Sequence, residues 1–262
     1  KSLVPFSILG VLGMVYTALA MTYRYAQGIY VPGSPILQKM PAHLLPSFGD
    51  DGWEAVFRPQ SIVFVSMLST AYMCHFNAPK FYKELKNNTV PRFNRLVTYG
   101  FGIAILLSSL VAGIGFATFG SSCDGFVLNN YSKKDFWIYL SRMAVSASLI
   151  CSYPISFQGL RDGVLDMAKV SDEARTESLL NQSTVAILLL VTILATFLKD
   201  VSFVAAFGGA TLGNMLVYVF PALMYARVTP EAKIPAAIVG SSGVILGIIG
   251  TVLTLKGAKG GH

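Results

Sequence analysis

The stretch of sequence that decides the fold is residues 61–79, SIVFVSMLSTAYMCHFNAP. Its first half is apolar enough to enter a bilayer, whereas its second half carries small hydroxyl residues and then His75, Asn77 and Pro79. Polar side chains and helix breaks at membrane depth face protein or a water-filled cavity, because lipid offers them no hydrogen bonds. We therefore interpret this stretch as an interrupted membrane helix beside a binding site.

The composition extends this interpretation to the whole chain. Of the 262 residues, 53% are hydrophobic and 13% are charged, whereas soluble domains carry about 25% charged residues. The sequence predicts an all-α polytopic membrane protein with seven transmembrane helices in a single membrane domain. The predicted spans are residues 2–26, 60–79, 93–119, 135–160, 181–198, 201–226 and 234–255.

The remaining bulk features exclude several function classes. The net charge of +7 comes from basic residues in short loops between apolar segments, so we expect no nucleic-acid partner. The spacing of the three cysteines fits neither a metal motif nor a disulfide framework. We find no catalytic constellation, and we expect a non-enzymatic protein without a metal site or an organic cofactor.

Two segments carry small residues at helical spacing. In the first, Gly10 and Gly13 form, with Ser7 and Thr17, a small-residue face that favours close helix packing. In the fourth, Ser148, Ser152 and Ser156 recur every four residues, and Pro154 leaves one backbone carbonyl without its helical partner. This hydroxyl stripe suits a hard cation, but serines that bond to their own helix and help it pack give the same pattern.

The distribution of basic residues predicts the orientation in the membrane. The loop at residues 80–95 holds Lys80, Lys83, Lys86, Arg92 and Arg95 against a single acidic residue, Glu84. We expect this loop and the N-terminal end in the cytosol, and the C-terminus on the opposite side. The glycosylation sequon at Asn130 then lies outside the cytosol, where it could be used, whereas the sequons at Asn87 and Asn181 lie inside.

Three segments carry short motifs in a fixed order. They are Cys74-His75 with Pro79 and Tyr82-Lys83-Glu84-Leu85; Arg142 followed by Ser152-Tyr153-Pro154 and Arg161; and Ala206-Phe207-Gly208-Gly209-Ala210 with Phe220-Pro221-Ala222-Leu223. Together these motifs resemble the amino acid/auxin permease family, which includes the sodium-coupled neutral amino acid transporters. The chain departs from the neutral transporters at Asn77 and at Gln158-Gly159.

The resemblance implies a LeuT-type inverted-repeat fold, in which substrate lies between unwound parts of the first and sixth helices. Residue 1 would then open the fifth of eleven helices, and the chain would be a C-terminal portion. The resemblance points to Ser69, Thr70 and Ala71 as the unwound, substrate-binding stretch. It makes Ser152 the candidate ion ligand, with Ser148 one turn earlier.

These features lead to one preferred function and two alternatives. The preferred one is secondary active amino acid transport, with Na⁺ or H⁺ as the coupling ion and the amino acid and the lipid bilayer as partners. His75 is a candidate proton-sensitive residue, although a packing role fits it as well. The alternatives are a transporter-derived structural subunit, held among other membrane subunits, and a sensor that binds amino acid without much flux.

Overall fold

The computed structural model describes residues 4–49, 57–74, 78–198 and 200–260. Over these residues the chain forms α-helices joined by turns and short 3₁₀ segments, with no strand. The helices are α1 (Val4–Ala26), α2 (Gln60–Ala71), α3 (Ala78–Glu84), α4 (Val90–Phe119), α5 (Phe136–Met167), α6 (Glu177–Phe197), α7 (Val201–Gly208), α8 (Phe220–Val228) and α9 (Lys233–Gly260). Two π-helical segments, Gly209–Gly213 and Met215–Val219, join α7 to α8.

Five helical stretches of the described chain are long and apolar enough to cross a bilayer. They are Val90–Phe119, Phe136–Met167, Glu177–Phe197, Val201–Val228 and Lys233–Gly257. The chain is therefore an all-α, multi-pass membrane protein, as its composition predicts. The count of seven spans and the LeuT-type fold remain predictions.

Two boundaries differ from the predicted spans by seven or more residues. Helix α2 has 12 residues and ends at Ala71, eight residues before the predicted end, so it is about 18 Å long and shorter than a full span. Helix α5 continues to Met167, seven residues past the predicted end. A helix need not stop at the membrane surface, because water satisfies the backbone and the charged side chains of its final turns.

The chain divides into two compact units. The first comprises Lys1–Gly49 and Phe101–Lys199, and the second comprises Asp50–Gly100 and Asp200–His262. Each unit is described below by itself. That the chain is a single membrane domain lacking the first four helices of its fold remains a prediction.

In the first unit, α1 packs closely against α5. A Cβ at Gly10 would lie 2.8 Å from the hydroxyl oxygen of Ser148, and one at Gly13 would lie 3.3 Å from the Cβ of Ala144. The small residues let the two helices approach closely. Close packing matters in a bilayer, because van der Waals contacts rather than the hydrophobic effect hold membrane helices together. The predicted packing role is confirmed for Gly10 and Gly13.

The apolar core of this unit gathers around three aromatic rings. Tyr30, Phe119 and Tyr131 pack edge to face with ring centroids 4.8–5.6 Å apart. Each is at most 4% exposed. Burial raises the pKa of Tyr131 to about 12. Burial, and secondarily the charge of Asp135, also raises the pKa of Tyr30.

One buried carboxylate ties this core to both helices. Asp135 is 2% exposed and caps α5 by accepting the backbone N–H of Trp137 at 3.1 Å. The same carboxylate accepts the guanidinium of Arg24 at 2.7 Å and the hydroxyl of Tyr30 at 3.0 Å. A buried charge is tolerated only when it is paired and hydrogen-bonded, and Asp135 meets both conditions.

The sequon at Asn130 is not accessible in the folded protein. The residue is completely buried. Its side-chain oxygen accepts the N–H of Asp124 at 2.7 Å, and its side-chain nitrogen donates to the carbonyl of Ser122 at 2.7 Å. The expectation that this sequon could carry a glycan is wrong for the folded chain, because the amide already closes the loop that holds it.

Candidate functional site

The candidate site lies at the end of α2, in the second unit. Helix α2 ends at Ala71 and α3 begins at Ala78. Tyr72 closes the helix by donating its N–H to the carbonyl of Leu68 at 3.0 Å. His75 and Asn77 lie outside the described residues, so the proposed proton-sensitive role of His75 remains a prediction.

The predicted substrate residues are helical. Ser69, Thr70 and Ala71 form the last turn of α2, so the expectation that these three residues are unwound is wrong, and the interruption begins at Tyr72. The physical reason lies in their side chains, since two of the three bond to the neighbouring helical stretch and hold the turn in place. Ser69 is 6% exposed, Thr70 is half-buried and Ala71 is exposed.

Ser69 lies against a buried asparagine. Its hydroxyl is 3.0 Å from Oδ1 of Asn214 and 3.2 Å from the carbonyl of Val65. One hydroxyl hydrogen serves one of these acceptors at a time, so the Ser69–Asn214 bond competes with a bond inside α2. Asn214 is 2% exposed, and its amide nitrogen is 3.4 Å from the carbonyl of Ala210.

Thr70 makes a second bond from the same turn of α2, to α7 rather than to Asn214. Its hydroxyl donates to the backbone carbonyl of Ala205, in α7, at 2.8 Å. Two hydrogen bonds therefore hold the last turn of α2 in place, one to the side chain of Asn214 and one to the backbone carbonyl of Ala205. A polar bond of this kind in a membrane protein contributes about 0.6–2 kcal/mol.

The approach of these elements depends on glycine. A Cβ at Gly209 would overlap the backbone oxygen of Ser66, so the two backbones are in direct contact. On the other side of Ser66, a Cβ at Gly250 of α9 would lie 2.5 Å from its hydroxyl oxygen. Ser66 is completely buried between them. These two glycines therefore allow the segment at Gly209 and helix α9 to pack closely against α2.

The segment facing α2 is not a regular α-helix. The π-helical segments Gly209–Gly213 and Met215–Val219 lie on either side of Asn214. Such segments are rare and frequently occur at functional sites. Pro221 follows the second segment and has no N–H, so it cannot restore the regular bond one turn back.

The candidate ion ligands belong to the first unit. Ser152 is exposed, and its hydroxyl donates to the carbonyl of Ser148 at 2.8 Å. The hydroxyl of Ser148 lies over Gly10, as described above. Both contacts are those expected if the serines bond to their own helix and help it pack. A hydroxyl that donates its hydrogen still has lone pairs for a cation, and the ion-binding role of both serines remains a prediction.

Sequence reasoning missed two of the residues that organise these regions. Neither Asn214 nor Asp135 is among the residues that the sequence predicts as functional. An asparagine inside an apolar run is a usable signal, because a polar side chain at membrane depth needs a partner. An aspartate just before an apolar run is the usual helix N-cap signal.

Comparison with known proteins gives the family. The family described as transmembrane amino acid transporter protein matches residues 1–254, and the chain belongs to this family. No solved structure matches the chain significantly.

Curated relatives are similar over about half of their own length. A human protein named "Putative sodium-coupled neutral amino acid transporter 11" is 23% identical over 217 residues, which cover 80% of this chain and 52% of the relative. The Arabidopsis thaliana "Amino acid transporter AVT6E" is 25% identical, with 84% and 46% covered. The zebrafish "Sodium-coupled neutral amino acid symporter 2" is 25% identical, with 78% and 40% covered.

Proposed function

We propose that the intact protein is a secondary active amino acid transporter that moves its substrate by alternating access, coupled to Na⁺ or H⁺. Family membership supports the substrate class. The observation that carries the proposal is the end of α2, where a short helix stops at Ala71 beside the buried pair Ser69–Asn214. An interrupted helix that packs on a second irregular helix is the usual setting of a transporter site.

The polarity of α2 fits one part of an amino acid. The C-terminus of a helix carries a partial negative charge, because its last carbonyls lack helical partners. The end of α2 at Ala71 therefore suits the substrate ammonium group. Ser69 and Thr70 act through the backbone, since their hydroxyls fix the position of this helix end. We propose that Ala71, which is exposed, contacts substrate.

The coupling ion is assigned to α5 in this proposal. Ser152 supplies a hydroxyl oxygen, Ser148 supplies another one turn earlier, and Pro154 leaves the carbonyl of Ile150 without its helical donor. Oxygen ligands of this kind suit Na⁺. If H⁺ is the coupling ion instead, His75 is the titratable candidate.

The proposal also fixes the arrangement in the membrane. Residues 80–95 and the N-terminal end face the cytosol, and the C-terminus lies on the other side. The protein performs no covalent chemistry, and its partners are the amino acid, the coupling ion and the bilayer.

Uptake of labelled amino acids into proteoliposomes tests the proposal. The full-length protein is reconstituted, and a panel of neutral amino acids is offered under an inward Na⁺ gradient, an inward H⁺ gradient or neither. We expect accumulation above that in empty liposomes under one of the two gradients, and none of a labelled sugar. Absence of uptake under both gradients, with correctly folded protein, overturns the transporter proposal.

A further inference from the structure

The α3–α4 connection is a compact basic surface, which we call the basic hairpin and define as residues 78–95. It carries five cationic side chains and one acidic side chain, Glu84, and all six are exposed. The cations lie in helical pairs, Lys80 with Lys83 in α3 and Arg92 with Arg95 in α4, and Lys86 lies in the turn between the helices. Residues three apart share a helix face, so each pair acts as a local concentration of charge.

The hairpin is held together by one tyrosine. The ring of Tyr82 packs edge to face on Phe93, with centroids 5.5 Å apart, and its hydroxyl donates to the carbonyl of Asn88 at 3.0 Å. Asn87, in the turn, has a φ of 54°, which reverses the chain. The basic residues are thus carried by an ordered structure rather than by a loose tail.

The length of α4 places this surface at the membrane boundary. From Leu96 to Phe119 the helix contains 24 residues without a charge, or about 36 Å at 1.5 Å per residue. The hydrocarbon core of a bilayer is about 30 Å thick. Arg95 and Arg92 precede this uncharged stretch directly, so they lie at the depth of the lipid headgroups.

Apolar side chains accompany the charges. Phe81 is 46% exposed and Val90 is 61% exposed. An aromatic or aliphatic side chain next to cations is the pattern of a surface that binds headgroups while it dips into the acyl boundary. An acidic protein partner accounts for the charge, but it does not account for the position at the end of a membrane-length helix.

We propose that the basic hairpin binds the headgroups of anionic phospholipids. Each basic residue near an anionic leaflet contributes about fivefold to binding, so two arginines together contribute more than tenfold. The attraction is electrostatic and is suppressed in concentrated salt, where the screening length falls to about 3 Å. This inference concerns a lipid surface and stands whether or not the transport proposal holds.

Hydrogen exchange of the full-length protein in nanodiscs tests the inference. Exchange of backbone amides in residues 78–95 is compared in phosphatidylcholine discs and in discs enriched in phosphatidylserine. We expect phosphatidylserine to slow exchange there severalfold, and concentrated salt to remove the effect. The phosphatidylserine fraction that gives half of the protection should be clearly higher in Arg92→Gln/Arg95→Gln than in the unaltered protein.

The matched control is Lys133→Gln/Lys134→Gln, which removes two exposed charges from the loop before α5 and should leave the protection of the hairpin intact. Equal exchange of the hairpin in the two kinds of disc overturns the inference. Loss of protection in the lysine control overturns it as well, because the effect is then one of net charge. Soluble polyglutamate that protects the hairpin as well as phosphatidylserine does assigns the surface to an acidic protein instead.

Discussion

Gly209 and Ser66 meet backbone to backbone. The carbonyl oxygen of Ser66 occupies the space in which the Cβ of any side chain at position 209 would lie. The carbonyl belongs to the middle of α2 and cannot move without breaking that helix. The contact therefore sets how closely α2 approaches the π-helical segment that carries Asn214.

Gly209→Ala should force α2 away from this segment. We expect a loss of at least about 2 kcal/mol in the free energy of unfolding, because overpacking against a backbone has no cheap relaxation. Denaturant unfolding in mixed micelles measures the loss. The control is Gly208→Ala, whose Cβ meets nothing within 4 Å and should change stability little. Equal stability of the two variants would show that α2 is not held by this contact.

The bond between Ser69 and Asn214 should be visible as a coupling energy. We expect Ser69→Ala and Asn214→Leu to be non-additive by about 1 kcal/mol in a double-mutant cycle, since each removes the partner of the other. The comparison cycle pairs Ser69→Ala with Thr251→Val, because Thr251 bonds the carbonyl of Gly247 in its own helix. That pair should be additive. A coupling of zero in the first cycle contradicts the bond.

Removal of the Asp135 charge should destabilise the first unit strongly. Asp135→Asn leaves Arg24, whose side chain is only 15% exposed, without its countercharge, and we expect a loss of about 3–5 kcal/mol. Asp162→Asn is the control, because Asp162 pairs with Arg161 while its side chain remains 47% exposed, and pairs of that kind contribute about 0–1 kcal/mol. Thermal unfolding in detergent compares the two. Similar small losses would mean that the buried pair does not hold the unit.

Alkaline pH should weaken the folded state through Tyr131. Burial raises its pKa to about 12 in the folded chain, against about 10 when it is exposed. The folded state therefore keeps the proton while the unfolded state loses it, so stability is constant below about pH 10 and falls between about pH 10 and 12.

Tyr131→Phe should flatten part of this decline, by at most about 2 kcal/mol at the upper end. It should cost little at neutral pH, because the Tyr131 hydroxyl is buried without a hydrogen-bond partner among the described residues. Unfolding curves across this pH range make the measurement, and Tyr25→Phe, at an exposed position, is the control. An unchanged alkaline decline in Tyr131→Phe would assign it to other groups.

The ion-binding proposal separates two serines on α5. Ser152→Ala should raise the Na⁺ concentration needed for half-maximal uptake severalfold, because it removes one proposed oxygen ligand. Ser146 is exposed and lies outside the stripe of serines that recur every four residues, so Ser146→Ala should leave this Na⁺ concentration unchanged. Uptake measured against Na⁺ concentration tests the pair. Equal and negligible effects would remove Ser152 from the site.

Local patterns predicted much of the fold. Apolar runs predicted the all-α membrane class, and the glycines at positions 10 and 13 predicted that α1 packs closely against another helix, although not which one. The motifs quoted for the family led to the family that the comparison shows. In each case the information lies within a single helical stretch, where periodicity and composition are enough.

Contacts between distant residues were not predictable in this way. The last turn of α2 is held by the bond between Ser69 and Asn214, which lie 145 residues apart in sequence. No local sequence pattern predicts that pairing. Likewise, a sequon does not show whether its asparagine side chain is buried and hydrogen-bonded within the folded loop. The substrate and ion roles remain predictions, because they depend on residues that must meet a bound molecule.

The carboxylate of Asp135 has a mechanical consequence. It joins the last turn of α1, the first turn of α5 and the loop that carries Tyr30, so these three parts share one fixed point. Two helices that are joined at one end can move apart only at their other ends. Any motion of α1 against α5 is therefore expected to grow with distance from Asp135.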